Sequence, residues 1–295
     1  MFVMKPFTFV QLADVQFGLF SHCSGKSDEE ISRLAEMGIF LRPAPFMTGL
    51  APEESLFSAA VNAINRIDPA FAILCGDIAD TPAEHGQFET ALQIASQVDD
   101  ETPFHWVPGN HDLAYDFTEP QPELLQGYRS RFGKDYYTFR VEEAAFFVVN
   151  STVLSAPDAL PGEASAQIDF LRDELTTANS DGAAVRALFT HHPPYIDHPE
   201  EPDSMWNISN PYRRHLLDLL SEHRVSTVFA GHLHRNHETN LDGLHVITSG
   251  SVGYPLGDDP SGYRVVRVTE KGFSHEFVPI DEPPDNTVAR QLLAP

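Results

Sequence analysis

Residues 71–80 read FAILCGDIAD. Five apolar residues follow one another without a polar break, as in a strand covered on both faces, and strands of that kind belong to parallel sheets. The run stops at Gly76, and two carboxylates, Asp77 and Asp80, follow at once. In open α/β sheets, ligands bind beyond the carboxyl ends of the strands. This one stretch therefore predicts both the kind of sheet and the edge where its chemistry lies.

The flanking segments agree. On the N-terminal side FTFVQLA (7–13) predicts a strand, and ESLFSAAVNAINRI (54–67) sets Phe57, Val61 and Ile64 at helical spacing. On the C-terminal side QFETALQIASQV (87–98) puts Phe88, Leu92 and Ala95 on one helical face, and FHWVPGNHD (104–112) runs from a strand into a polar turn. The series β-α-β-α-β implies a parallel sheet. Further on, YYTFRV and AAFFVVNS predict a hairpin, SAQIDFLRDELTTA a helix with Ile168, Leu171 and Leu175 on one face, and PYRRHLLDLLSEH another helix. RALFTHHPP and STVFAGHLH restore the strand alternation, and the last third (LHVITSG, YRVVRVTE, GFSHEFVPI) is strand-rich. The fold class expected is α/β, passing to α+β in the C-terminal part. One domain over residues 1–280 is expected, followed by a polar, proline-containing tail at 281–295.

With 295 residues, 42% of them hydrophobic, the chain can bury a sizeable core. The net charge of −24 repels phosphate backbones, so no nucleic-acid partner is expected. Two cysteines make neither a disulfide framework nor a zinc cluster, and Cys75 fits a small core residue. No apolar run approaches the ~18–20 residues of a membrane span, so no membrane partner is expected. The opening MFVMKPFTFVQLA is broken by Lys5 and Pro6 and has no convincing cleavage site. It predicts a first strand and a cytoplasmic protein.

Five polar clusters each end an apolar strand-like run: Asp14 and Gln16 in ADVQ, Asp77 and Asp80 in GDIAD, Asn110, His111 and Asp112 in GNHD, His191 and His192 in THHP, and His232 and His234 in GHLH. Any one alone is more often a turn or a surface histidine. Five at the strand ends of one sheet offer a mixed oxygen and nitrogen donor set, which suits Mn, Fe or Zn better than Ca. Residues 19–52 and 195–210 form two long loops leaving the same ends, and both can wall a site. Met205 and Trp206 in the second loop fit packing as well as substrate contact.

The order D-x-Q, GDxxD, GNHD, H and GHxH over residues 14–234 resembles the calcineurin-like metallophosphoesterases. It is similar in particular to the calcineurin-like phosphoesterase domain-containing protein 1 group, through the glutamine of ADxQFG, GHxHRN at 231–236, FGKDYYTF, WNIS and PLGDDPSGYRVV. The resemblance implies a four-layer α-β-β-α sandwich with the metal site at the strand carboxyl ends. It implies a first metal held by Asp14, Gln16, Asp77 and His234, and a second by Asp77, Asn110, His191 and His232. It implies a dinuclear hydrolase that cleaves phosphomonoesters by attack of a metal-bound hydroxide, with phosphoserine and phosphothreonine proteins or a small phosphomonoester as substrates. His111 then protonates the leaving oxygen and Asp80 orients it. Asn110, His111 and Asn236 are the expected substrate contacts. A structural role suits Asp112, and His192 is balanced between support and no role. His22, His85, His105, His198, His215, His223, His237, His245 and His275 lack motif context and are expected to be surface or core residues.

A glutamine in place of the usual histidine leaves the site's charge unchanged. Its amide oxygen is a harder donor than an imidazole nitrogen, which biases the pair toward Mn or Fe, with Zn or Mg as further options. The same metals serve a phosphodiesterase acting on a small diester or cyclic nucleotide, and the loops decide between the two. A catalytically dead scaffold would lack metal carboxylates or the GNH histidine, and Asp14, Asp77 and His111 are all present.

Overall fold

The computed structural model describes residues 4–84, 86–115 and 118–280. His85 and the expected tail at 281–295 lie outside the described residues. Two sheets carry the architecture. The first contains β1 (Phe7–Leu12), β2 (Phe71–Cys75), β3 (Phe104–Val107), β10 (Gly262–Thr269) and β11 (Gly272–Pro279), in the order β11-β10-β1-β2-β3. The second contains β4 (Tyr137–Val141), β5 (Ala144–Val148), β6 (Val185–Phe189), β7 (Thr227–Ala230), β8 (His237–Leu241) and β9 (Leu244–Thr248), in the order β4-β5-β6-β7-β9-β8. β1, β2 and β3 run parallel, as do β5, β6, β7 and β9, while β10, β11, β4 and β8 pair antiparallel.

Alternation along each strand builds two kinds of core. Phe9, Phe71, Ile73 and Cys75 face inward and meet Phe146, Phe189, Phe229 and Ile247 of the other sheet. Phe9 stacks on Phe71 at 4.7 Å and meets the edges of Phe146, Phe189 and Phe229, geometries that aromatic rings prefer. The opposite faces carry Val10, Leu12, Ala72 and Leu74, and on the second sheet Phe147, Leu188, Val228 and Val246. Those residues pack with Phe57, Val61 and Ile64 of the helix Ala51–Ile67, and with Ile168, Leu171, Leu175, Leu216 and Leu220 of the helices Glu163–Ser180 and Tyr212–Glu222. Two sheets flanked by helices result, as expected. Gln11 Nε2 donates to Ala230 O at 2.9 Å, a buried link between the sheets.

Two features differ from the sequence reading. HETNL (237–241) is the edge strand β8, joined to β9 by Asp242 and Gly243, both at positive φ. The long segment 19–52 contains the helices Leu19–Cys23 and Asp28–Glu36. The second opens with a capping box in which Ser27 Oγ accepts from Glu30 N and the Glu30 carboxylate accepts from Ser27 N.

Candidate metal centre

Parallel pairing brings the carboxylates together. β1 and β2 are in register to Leu12 opposite Leu74, and beyond the strands Asp14 N donates to Gly76 O (3.1 Å) and Gln16 N to Asp77 O (2.8 Å). At the same edge of the second sheet Gly231 N donates to His191 O, which sets the THHP and GHLH turns side by side. The sheets join through Asp14, whose carboxylate accepts His232 N at 2.9 and 3.1 Å. Asp14, Gln16, Asp77, His232 and His234 all lie at positive φ, between 42° and 73°. Such backbone is uncommon outside glycine and clusters at functional sites. Gly109 is required for a different reason: a Cβ there would sit 2.1 Å from Asp77 Oδ1 and 2.2 Å from Asp77 N.

Backbone carbonyls fix the tautomer of three imidazoles. His191 Nδ1 donates to Cys75 O (2.9 Å), His232 Nε2 to Met205 O (2.7 Å) and His234 Nδ1 to Tyr254 O (2.6 Å). A carbonyl only accepts, so the other nitrogen of each neutral ring carries a lone pair. His191 Nε2 lies 2.9 Å from Asn110 Oδ1, 3.0 Å from His232 Nδ1 and 3.3 Å from Asp77 Oδ2. His234 Nε2 lies 3.5 Å from Asp14 Oδ1. Donor atoms of Asp14, Asp77 and His234 all fall within 4.8 Å of one another. Lone pairs converging in this way fit cations, and a carbonyl on the far nitrogen is the usual brace of a metal-ligating histidine.

Gln16 fits the same requirement. Its Nε2 donates to Asp80 Oδ1 at 3.1 Å, and since a carboxylate accepts only, the amide is fixed with its oxygen turned away. That oxygen is buried without a hydrogen-bond partner, as an amide ligand to a cation would be. Burial, opposed by His191 and reinforced by Asp77, pushes the Asp14 carboxyl up to about 8. Burial would also raise Asp77, but His191 and His111 hold it well below the usual carboxylate range. Burial acts to lower His191, yet Asp77 and Asp14 carry it to about 9.

Around this core the remaining residues divide. The backbone N of His111 donates to Asp77 Oδ1 (2.9 Å), and its ring Nδ1 meets the main-chain carbonyl of Asp80 at 2.9 Å. The Asp80 carboxylate is farther, at 3.6 Å. Asp80 holds His111 chiefly through its backbone carbonyl, and its carboxylate is shared with Gln16 and His22. His22, an exposed residue as expected, also reaches this edge: its Nδ1 lies 2.9 Å from Asp80 Oδ2. Burial works against it, but Asp77 and Asp80 raise His111 above the ordinary imidazole range. Asp112 is structural, as expected, accepting from Ile78 N, Ala79 N and Gly109 N and tying two motif turns together.

His192 gains a partner that the sequence did not show. Ser151 Oγ accepts His192 N and lies 2.9 Å from His192 Nδ1, so one hydroxyl holds both the backbone and the ring of His192. Asn236 is not brought to the site. Its Oδ1 accepts Arg264 Nη2 (2.6 Å) and Gly250 N, and its N and Nδ2 donate to Asp259 Oδ2. A separate group, Glu238, His245 and His275, lies where the two sheets meet; Arg264 Nη1 donates to His275 Nδ1 there and takes that ring's lone pair.

Residues 7–236 match the calcineurin-like phosphoesterase family. The chain belongs to that family. It is 30% identical over 300 residues to serine/threonine-protein phosphatase CPPED1 of Homo sapiens, covering 98% of this chain and 88% of that one. CPPED1 of Mus musculus is also 30% identical, over 94% of this chain and 85% of its own. Among solved structures, a dimetal phosphatase from Danio rerio superposes with a TM-score of 0.57 at 19% identity, covering 91% of this chain and 98% of that one. Purple acid phosphatase PPD1 of yellow lupin superposes at 0.64 with 13% identity, covering 95% and 52%. These two structures share the fold with this calcineurin-like phosphoesterase. Membership makes the chain a metal-dependent hydrolase of phosphoric esters, and the convergent carboxylates and imidazoles are candidate donors for a metal.

Proposed function

We propose that this calcineurin-like phosphoesterase hydrolyses phosphomonoesters with two cations at one end of its sheets. The observation that carries the reading is the convergence of His191 Nε2, His232 Nδ1, Asn110 Oδ1 and Asp77 Oδ2 beside Asp14 and His234, with the orphaned Gln16 oxygen next to them. Asp14, Gln16, Asp77 and His234 hold the first cation. Asp77, Asn110, His191 and His232 hold the second, and Asp77 serves both. A hard amide oxygen at Gln16 favours Mn or Fe. Such a pair supplies a nucleophile at neutral pH and offsets negative charge on the phosphoryl oxygens.

The chain's own residues do the rest. His111 is held by Asp80 O through Nδ1, which leaves Nε2 to deliver a proton to the leaving oxygen. His192 lines the same cavity, its ring held by Ser151 Oγ at 2.9 Å. The similarity to the serine/threonine-protein phosphatase CPPED1 supports phosphoserine and phosphothreonine among the substrates. Both are esters of alkyl alcohols, poor leaving groups for which a proton donor matters most.

The test is steady-state hydrolysis of a chromogenic phosphomonoester beside its bis-ester, by metal-stripped protein refilled with Mn. Turnover of the monoester in excess of the diester is expected. Turnover mainly of the bis-ester would replace this reading with a phosphodiesterase.

A further inference from the structure

The cavity at the site has a volume of about 520 Å³, a size that takes a small molecule rather than a bare phosphate. Asp77, Asn110, His111, His192 and His232 line it, and so do Leu19, Leu34, Met37, Ile39, Met205 and Trp206. The first group belongs to the metal edge. The second comes from the two long loops, residues 19–41 and 195–210. Gly38 lies against Trp206, where a Cβ would sit 3.4 Å from the indole nitrogen, so the two loops meet beside the site.

This wall is built, and it is apolar. Ser27 and Glu30 cap the helix Asp28–Glu36, and its Ile31 and Leu34 pack beside Cys23, Leu41 and Tyr254. Yet no residue of that helix is buried, Met37 is 47% exposed and Met205 40% exposed. Large apolar side chains therefore keep solvent-facing surface at a cavity that the carboxylates and imidazoles of the metal edge also line. Apolar surface left to water is unfavourable, and covering it is worth about 25 cal/mol per Å². Among the described lining residues Lys26 is the one lysine or arginine.

We infer that the substrate preferred over phosphoserine and phosphothreonine carries an apolar alcohol as its leaving group, seated against Leu34, Met37, Ile39, Met205 and Trp206 while its phosphate meets the metal edge. The inference rests on the phosphomonoesterase reading and names the substrate class of that same site. The bond cleaved is the phosphate ester: water supplies the oxygen gained by phosphate, and the alcohol leaves with the proton delivered by His111.

The experiment uses Mn-loaded protein and the n-alkyl phosphates ethyl, butyl, hexyl and octyl, kept below their aggregation concentrations. Leaving-group basicity changes little along the series, so kcat/KM reads contact with the wall. An increase of about two- to fourfold per added methylene is expected up to hexyl phosphate. Leu34→Gln and Met37→Gln, neither at a buried position, should flatten the slope. A flat series in the unaltered protein, with ethyl phosphate turned over, overturns the inference and leaves the phosphomonoesterase reading standing. A steep slope unchanged in both variants overturns the assignment of the wall. No turnover of any member by metal-loaded protein overturns both readings.

Discussion

Gln16 Nε2 donates to Asp80 Oδ1 at 3.1 Å, and that bond leaves the Gln16 oxygen buried without a hydrogen-bond partner. One side chain thus joins the proposed metal set to the residue that carries His111. As an amide oxygen is a harder ligand than imidazole, Gln16→His should raise affinity for Zn relative to Mn by about tenfold. Competitive metal titration of stripped protein reads the ratio. An unchanged ratio would mean that Gln16 only hydrogen-bonds to Asp80 and that three protein ligands hold the first cation.

His111→Ala should lower kcat by about 10²–10⁴ for an alkyl phosphomonoester, the range typical of a lost acid or base. For a nitrophenyl phosphate, whose leaving group needs little proton assistance, the loss should be much smaller. Equal losses on both substrates would assign His111 to binding or folding instead of proton transfer.

Gly109→Ala places a Cβ 2.1 Å from Asp77 Oδ1, against a turn that Asp112 holds from the other side. Overpacking of this kind costs about 1–3 kcal/mol. Thermal unfolding should shift down by several degrees, and the metal content of the purified variant should fall with it. A variant with full metal content and activity would show that Asp77 has more freedom than the turn suggests.

The buried titratable groups predict the pH response of chelator-treated protein. Asp14 and His191 have folded values pushed up to about 8 and about 9, so the folded chain binds more protons than the unfolded one as pH rises through that range. The Asp14 contribution is full below about pH 4 and is lost as pH rises to about 8, and that of His191 is full below about pH 6.5 and is lost by about pH 9. His232 and His234 behave oppositely: burial lowers them to about 3 and about 4, and their contribution is lost as pH falls below about 6.5. Thermal stability of stripped protein should therefore peak near pH 6.5. Adding Mn should raise stability more at pH 8 than at pH 6, because ligation requires Asp14 and His191 to give up their protons. Equal gains at both pH values would contradict that coupling.

Much of this was legible from FAILCGDIAD outward, because uninterrupted apolar runs ending in polar turns mark parallel strands and the edge where ligands gather. Asp14, Asp77, Asn110, His191, His232 and His234 converge as their motifs suggest. The helix Asp28–Glu36 and the strand HETNL were overlooked although signals existed: Ser27 with Glu30 is a capping box, and Asp242-Gly243 is a hairpin turn. His22 and Ser151 could not be found this way. Each reaches the site across a long separation, 58 residues to Asp80 and 41 to His192, and no local pattern marks either. Asn236 misled by adjacency: it follows the GHLH motif closely, but buried Arg264 claims its amide oxygen.

Asp77 gives the most direct test of the central claim, since it is the residue assigned to both cations. Metal content per chain and phosphate release from a phosphomonoester should be measured together in the unaltered protein and in Asp77→Asn, each stripped and refilled with Mn. Two ions per chain with turnover in the former, and loss of bound metal and of turnover in the latter, is the predicted result. Undiminished phosphate release by Asp77→Asn, or by stripped protein before refilling, would contradict the account.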